Sequence, residues 1–353
     1  MKKKRILLFM VVVCMFVFLA GCAKAEPEQE IPTENANMEA TETENANTKE
    51  TKAGDTVTVA SLKGPTSMGL VALMDKAEKN ETETAYEFKM ETSADALLPM
   101  VLKGEADIAL VPANVASVLY NKTLAMDVES EIVVIDVNTL GVLYLVTGGS
   151  SISTMKDLGG KTIYLTGKGT TPDYVLNYLL TENQVEDVTL EYKSEASEVV
   201  AILKENPEAM GLLPQPFATA ACMQNEALHT ALDFNKEWAA VQGEAGSSLV
   251  TGVTIARKAF VEEHSELVKQ FMAEHKESIE YVNANPKEAA ALVVKAGIVE
   301  KEPIAEKAIP VCNLVYLDGE DMKQALSGYL QVLYNQNPDS VGGALPDHEF
   351  YYE

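Results

Sequence analysis

Four short segments carry residue types that can hold a small molecule: Gly64-Pro65-Thr66-Ser67-Met68, Pro112-Ala113-Asn114, Gly167-Lys168-Gly169-Thr170-Thr171 and Pro214-Gln215. Each follows a strand-like run and opens a helix-like one. Each also sets a proline near the first helical position, where the missing N–H is not needed. The unbonded N–H groups of a helix start point outward with partial positive charge, which suits an anion or a carbonyl-type acceptor. Thr66 and Ser67 are N-cap types whose hydroxyls serve either as caps or as cleft-facing groups. Gly167 and Gly169 let the backbone approach a ligand closely, and Lys168 offers a cation. This loop lacks the Gly-Lys-Ser/Thr ending and spacing of a phosphate-binding P-loop. Asn114 and Gln215 bring amide donors and acceptors, for a ligand or for a local turn. The single tryptophan, Trp238, is either a wall for a planar ligand or part of the packing between lobes.

Chemistry beyond binding has little support. His229, His264, His275 and His348 have no neighbouring serine, cysteine or carboxylate pattern of a catalytic site. His264 and His275 fall in charged helical stretches and are expected to be solvated, and His229 is expected to be structural. There is no nucleophile elbow, dinucleotide fingerprint or zinc-protease motif, and no cysteine–histidine spacing of a metal site. The expectation is no catalytic residue, no metal and no cofactor. Cys222 and Cys312 read as small buried hydrophobes, with a disulfide between them left open.

The elements that position these loops alternate. Strand patterns fall at 56–61, 86–90, 107–111, 132–137 and 141–147, with helical patterns at 68–79, 94–103 and 112–120. After Gly159-Gly160 the cycle restarts: strands at 162–166, 188–192 and 209–213, and helices at 172–181, 195–204 and 216–225. A further strand at 249–256 leads into a mostly helical remainder with one short strand at 314–317. Repeated strand–helix units imply parallel sheets covered by helices. The second cycle reads as a second lobe, with the C-terminal segment returning to the first. The expected organisation is an α/β chain of two lobes, residues 55–141 with 253–353 and residues 142–252, joined by two hinge crossings. The ligand is expected in the cleft between them, outside the carboxyl ends of the strands.

The N-terminus reads as an export signal. Lys2, Lys3, Lys4 and Arg5 precede an unbroken apolar run at 6–19, too short to span a bilayer but suited to a signal-peptide core. It ends in Leu19-Ala20-Gly21-Cys22, which resembles the bacterial lipobox. The resemblance implies a signal peptide at 1–21 and lipidation of Cys22, and so a chain tethered to the outer face of the cell membrane. Residues 22–54 are rich in Glu, Thr, Asn and Ala and are expected to form a disordered acidic spacer. The whole chain carries 28 Lys+Arg against 53 Asp+Glu, a formal charge of −25. That excludes nucleic acid as a partner. Only Arg5 and Arg257 are arginines, so no bidentate arginine clamp for a carboxylate or sulfonate is evident.

Gly64-Pro65-Thr66-Ser67-Met68-Gly69, the segment from Gly104-Glu105-Ala106-Asp107 to Pro112-Ala113-Asn114, and Leu213-Pro214-Gln215-Pro216-Phe217-Ala218-Thr219 resemble the solute-binding lipoproteins of bacterial ABC importers. The subgroup is similar to the nitrate/taurine/sulfonate and thiamine-pyrimidine-precursor binders. The resemblance implies a type II periplasmic-binding-protein fold that closes on a small molecule and delivers it to a membrane permease, acting as a monomer without catalysis. It places Pro65, Thr66, Ser67, Met68, Ala113, Asn114, Lys168, Gly169, Thr170, Thr171 and Gln215 around the ligand. A signalling lipoprotein, or a pyrimidine-precursor enzyme on the same fold, are the alternatives.

Overall fold

Alternating β-branched residues make Thr56–Leu62 a strand (β1). The computed structural model describes residues 56–126, 131–149, 151–243 and 246–353, all within one compact unit. After β1 the chain makes one helical turn, Pro65–Met68 (α1), and restarts as Val71–Glu78 (α2). One helix was expected over 68–79. The break falls at Gly69, which is packed so tightly that a Cβ there would lie 2.7 Å from Ile279 Cγ1.

The first lobe continues through Ala85–Glu91 (β2), Ala94–Leu102 (α3), Ile108–Pro112 (β3), Ala113–Met126 (α4) and Ile132–Leu140 (β4). The chain then enters a second sheet with Leu143–Thr147 (β5), Thr162–Thr166 (β6), Thr171–Glu182 (α5), Thr189–Lys193 (β7), Ala196–Glu205 (α6), Met210–Pro214 (β8) and Phe217–Gln224 (α7). Two elements absent from the sequence reading follow, His229–Asp233 (β9) and Phe234–Gln242 (α8). Val250–Arg257 (β10) returns to the first sheet. Lys258–Glu263 (α9), Ser265–Ala284 (α10), Pro286–Lys295 (α11), Glu302–Ala308 (α12), Leu314–Leu317 (β11) and Gly319–Gln336 (α13) complete the order.

The first sheet has the strand order β11-β4-β10-β3-β1-β2 and the second β7-β6-β8-β5-β9. The expectation of all-parallel sheets holds only for β2-β1-β3 and β7-β6-β8. The strands on either side of the lobe crossings, β4, β10, β5 and their neighbours β11 and β9, pair antiparallel. β10, returning from the second sheet, inserts between β3 and β4 and runs against both.

The largest of four apolar clusters among the described residues reaches into both lobes. It includes Ala109, Val111 and Val253 of the first sheet, Leu145 and Leu165 of the second, and Tyr329 and Leu330 of α13. Trp238 is fully buried there, its ring 4.8 Å from Tyr178 and 5.7 Å from Tyr329, and its Nε1–H donates to Ser247 O at 3.0 Å. Of the two readings of Trp238, packing between lobes is the one the structure shows. A buried polar row crosses the first sheet within this apolar setting. His275 Nδ1 lies 3.2 Å from Asp136 Oδ2, Thr254 Oγ1 donates to Asp136 Oδ1, and Asn138 Nδ2 donates to Thr254 Oγ1. His275 and Asp136 are both 0% exposed, so the expected solvation of His275 is wrong. It lies on the buried stripe Val268, Phe271, His275, Ser278, Ile279 and Val282 of α10. His264 is half-buried beside Phe260, and His229 is exposed on edge strand β9.

Candidate ligand-binding site

The 64–68 turn closes on itself. Ser67 N–H donates to Gly64 O and Ser67 Oγ to Leu62 O, so the hydroxyl is spent inside the loop. Thr66, Ser67 and Met68 are buried and Pro65 is half-buried. The Thr66 methyl rests on β10 at Gly252, where an added Cβ would overlap it and lie 2.6 Å from Asn138 Oδ1. Met68 Sδ lies 3.5 Å from Cys312 Sγ. Ala113 is buried at the start of α4, and Asn114 beside it is half-buried.

The 167–171 loop holds an anion of its own. Asp173 is 9% exposed, and Asp173 Oδ2 accepts the Gly169 N–H at 2.8 Å. Its other oxygen accepts from Asn177 Nδ2 at 2.6 Å and from Tyr192 Oη at 2.7 Å. Burial first, and then Asp173, hold the Tyr192 phenol above its ordinary range. Thr170 N–H and Oγ1 both donate to Gly167 O. Lys168 is exposed and stands 5.4 Å above the Tyr192 ring. The loop that best suited an incoming anion is therefore filled by a carboxylate four residues along the same chain.

Gln215 is buried, and its Oε1 caps α7 by accepting Thr219 Oγ1 at 2.7 Å and Thr219 N–H at 3.3 Å. It lines a cavity of about 770 Å³ whose walls include Thr219, Cys222, Asp233, Glu237 and Lys307. Burial and the nearby Asp233 charge raise the Glu237 carboxyl above the usual carboxylate range. Of the eleven expected residues, only Gln215 lines this cavity. A smaller cavity of about 310 Å³ between α2, β2 and α11 touches none of the strand-end loops.

Between the lobes the structure brings two of the expected residues together. Thr171 Oγ1, at the start of α5, donates to Asn114 Oδ1 across the cleft at 3.5 Å. The C-terminal helix α13 packs against α5, and Asn337, just past its end, donates to Tyr174 Oη at 2.9 Å. The crossings are pinned as well. Gly141 N–H donates to Asn235 Oδ1 at 3.3 Å, and Asn313 Nδ2 donates to Gly141 O at 2.5 Å. Tyr144 Oη donates to Val311 O at 2.7 Å.

Residues 86–289 match the sequence model of the family described as NMT1/THI5 like. The chain belongs to that family. Its fold is the two-lobed one of periplasmic binding proteins. It superposes with a TM-score of 0.70 on an ABC transporter structure from Parabacteroides distasonis, at 23% identity over 84% of this chain and 99% of the other. The periplasmic aliphatic sulphonate binding protein SsuA from Escherichia coli gives 0.63 at 15% identity, over 85% and 94%. The alkanesulfonate-binding protein SsuA from Xanthomonas axonopodis pv. citri, bound to MOPS, gives 0.57 at 13% identity, over 84% and 96%. No curated protein matches the chain.

In this NMT1/THI5-like chain the one arginine of residues 56–353 is turned to another task. Arg257 Nη2 pairs with Asp107 Oδ1 at 2.6 Å, at the end of β3 opposite Pro112. Five residues of strand put it roughly 17 Å from the strand-end loops. Among the described residues no group of three His, Cys, Asp or Glu is placed to hold a metal ion, and no helix is long and apolar enough to cross a membrane. Cys222 and Cys312 are free thiols. Cys312 is fully buried as expected, and burial pushes its thiol up to about 12, whereas Cys222 is half-buried. The expected signal peptide, the expected lipidation of Cys22 and the expected acidic spacer lie outside the described residues.

Sequence reasoning missed Asp173 and Tyr329. Asp173 had a signal in Thr170-Thr171-Pro172-Asp173, the spacing of a helix-opening hydroxyl and acid. Tyr329 belongs to an apolar stripe of α13 with Met322, Ala325, Leu326, Leu330 and Leu333, which marks it as core and hides its hydroxyl.

Proposed function

We propose that this chain is the substrate-binding component of an ABC importer, capturing a small metabolite between its lobes and handing it to a membrane permease. In this reading residues 55–141 with 253–353 form one lobe and 142–252 the other. Cys22 carries the lipid that holds the protein at the outer face of the membrane, and the chain works as a monomer without catalysis. The observation that carries the reading is the meeting of Asn114 and Thr171, one strand-end loop from each lobe, across the cleft. Ligand contacts shared by two lobes stabilise the closed arrangement over the open one, which is how binding becomes a signal to a permease.

The expected residues fall into three groups. Asn114, Thr171 and Gln215, with backbone near Pro65, Thr66 and Ala113, are the ligand contacts. Ser67, Met68, Gly169 and Thr170 shape the loops, and Lys168 stands at the rim.

Mass spectrometry of small molecules retained by the purified protein tests the function, together with small-angle scattering before and after their removal. A retained metabolite and a larger radius of gyration once it is removed are expected. A protein that retains nothing, and whose dimensions stay fixed across a metabolite screen, would overturn the reading.

A further inference from the structure

The cavity of about 770 Å³ beside Gln215 is walled by both lobes. The second lobe supplies Tyr144, Gln215, Asp233 and Glu237, around the start of β5 and the ends of β8 and β9. The first supplies Lys307 of α12 and Val311 just past that helix. A cavity of this size takes a small metabolite. Its charges are not all spent. Lys236 Nζ lies 3.2 Å from Asp233 Oδ2, and Asp233 Oδ1 caps α8. Glu226, also on the wall, is exposed. Among the described residues Glu237 and Lys307, one on each lobe, form no ion pair and no side-chain hydrogen bond. Burial and the Asp233 charge both weigh against the ionised Glu237 carboxyl, so a cation placed beside it is stabilising. Gln215 is only 3% exposed. Its Oε1 serves Thr219, while its Nε2 donates to no group among the described residues. A donor left over on a buried side chain that borders a cavity is a place for an acceptor.

We propose that this cavity seats the cargo, and that the cargo is a zwitterion carrying an ammonium and a carboxylate, as a free amino acid does. Glu237 of the second lobe takes the ammonium. Lys307 of the first lobe and the Gln215 amide take the carboxylate. The proposal rests on the binding-protein reading, names the chemical class of its cargo, and adds Glu237 and Lys307 to the contacts that begin at Gln215. A ligand with both charges ties one lobe to the other through itself, so it favours the closed arrangement over the open one. A simple anion would face Glu237 and Asp233, and a simple cation would face Lys307, so each gains only half of the pairing.

The test is calorimetric titration of the purified chain, freed of retained metabolites. The probes are glycine, β-alanine, 4-aminobutyrate and 6-aminohexanoate, whose two charges stand progressively farther apart. Methylamine and acetate are the single-charge controls. At least one zwitterion is expected to bind, and neither control. Glu237→Gln is expected to weaken that binding about tenfold, and Lys307→Gln about threefold, because Lys307 is exposed. Neither substitution should move the melting temperature of the empty protein, since neither side chain has an ion pair to lose. Glu237→Lys should abolish binding, and adding Lys307→Glu to it should restore binding with the ligand turned end for end. Zwitterion binding that Glu237→Gln leaves intact, a charge swap that restores nothing, or equal binding of methylamine or acetate overturns the proposal and leaves the binding-protein reading standing. Silence from the whole series also overturns it, and the retained-metabolite measurement then judges the broader reading by itself.

Discussion

Asp173 shows how one side chain changes what a loop can do. A carboxylate that accepts three hydrogen bonds is stable where it is buried, and its removal strands the donors around it. Asp173→Ala should lower unfolding stability by about 1–3 kcal/mol in urea denaturation. It should also bring Tyr192 ionisation down toward its ordinary range in a spectrophotometric titration, because Asp173 is one of the groups holding it up. Lys168 should matter little. It is exposed and leans on Tyr192, a contact worth about 0.5–1 kcal/mol, so Lys168→Ala should change affinity for the retained metabolite less than twofold by calorimetry. At this scale residue types point to candidate loops and say little about which of their atoms are free. Ser67, Thr170 and Gly169 have the types of ligand-holding residues, yet their donors are satisfied within their own loops. Residue type and spacing do not encode that satisfaction, which arises only when the loop closes.

Elements with strong periodicity were legible nearly to the residue. β6 and β11 occupy the limits read from the sequence, 162–166 and 314–317. His229–Asp233 was missed because β9 is a five-residue edge strand with two exposed residues at its start, held by pairing with β5 rather than by its own pattern. The helix after β1 was misjudged at Gly69, where the packing of Ile279, some two hundred residues later, decides the geometry. The same reasoning gives a prediction at β10. Gly252 sits between the Thr66 methyl and Asn138, with no room for a Cβ. Gly252→Ala must push α1 off the strand, at a cost of about 1–3 kcal/mol by the usual measure of overpacking. A thermal melt followed by circular dichroism checks it, and an unchanged melting temperature would show that α1 yields freely.

At the scale of the whole fold, the two sheets share one large apolar cluster, so the lobes are joined by more than their two crossings. Trp238 stands where that core passes between α8, α5 and α13. Trp238→Ala should cost about 3–5 kcal/mol and divide a single calorimetric transition into two, one for each lobe; a single transition at lower temperature would show that the crossings alone keep the lobes cooperative. The first sheet has a further consequence, in time rather than in space. Its strand β4 ends at Leu140, yet its neighbours β10 and β11 begin at Val250 and Leu314, and Tyr351 bridges back to Val134. At about 5–20 residues per second, a ribosome delivers β11 on the order of ten seconds after β4. Until then β3 and β4 expose unpaired edges and their apolar faces. The nascent chain is thus unable to complete its first lobe before synthesis nears its end. Under the proposed function the polypeptide is threaded unfolded through a membrane pore; that delay is then the window in which threading can happen, and any holdase that binds it should do so through residues 56–140.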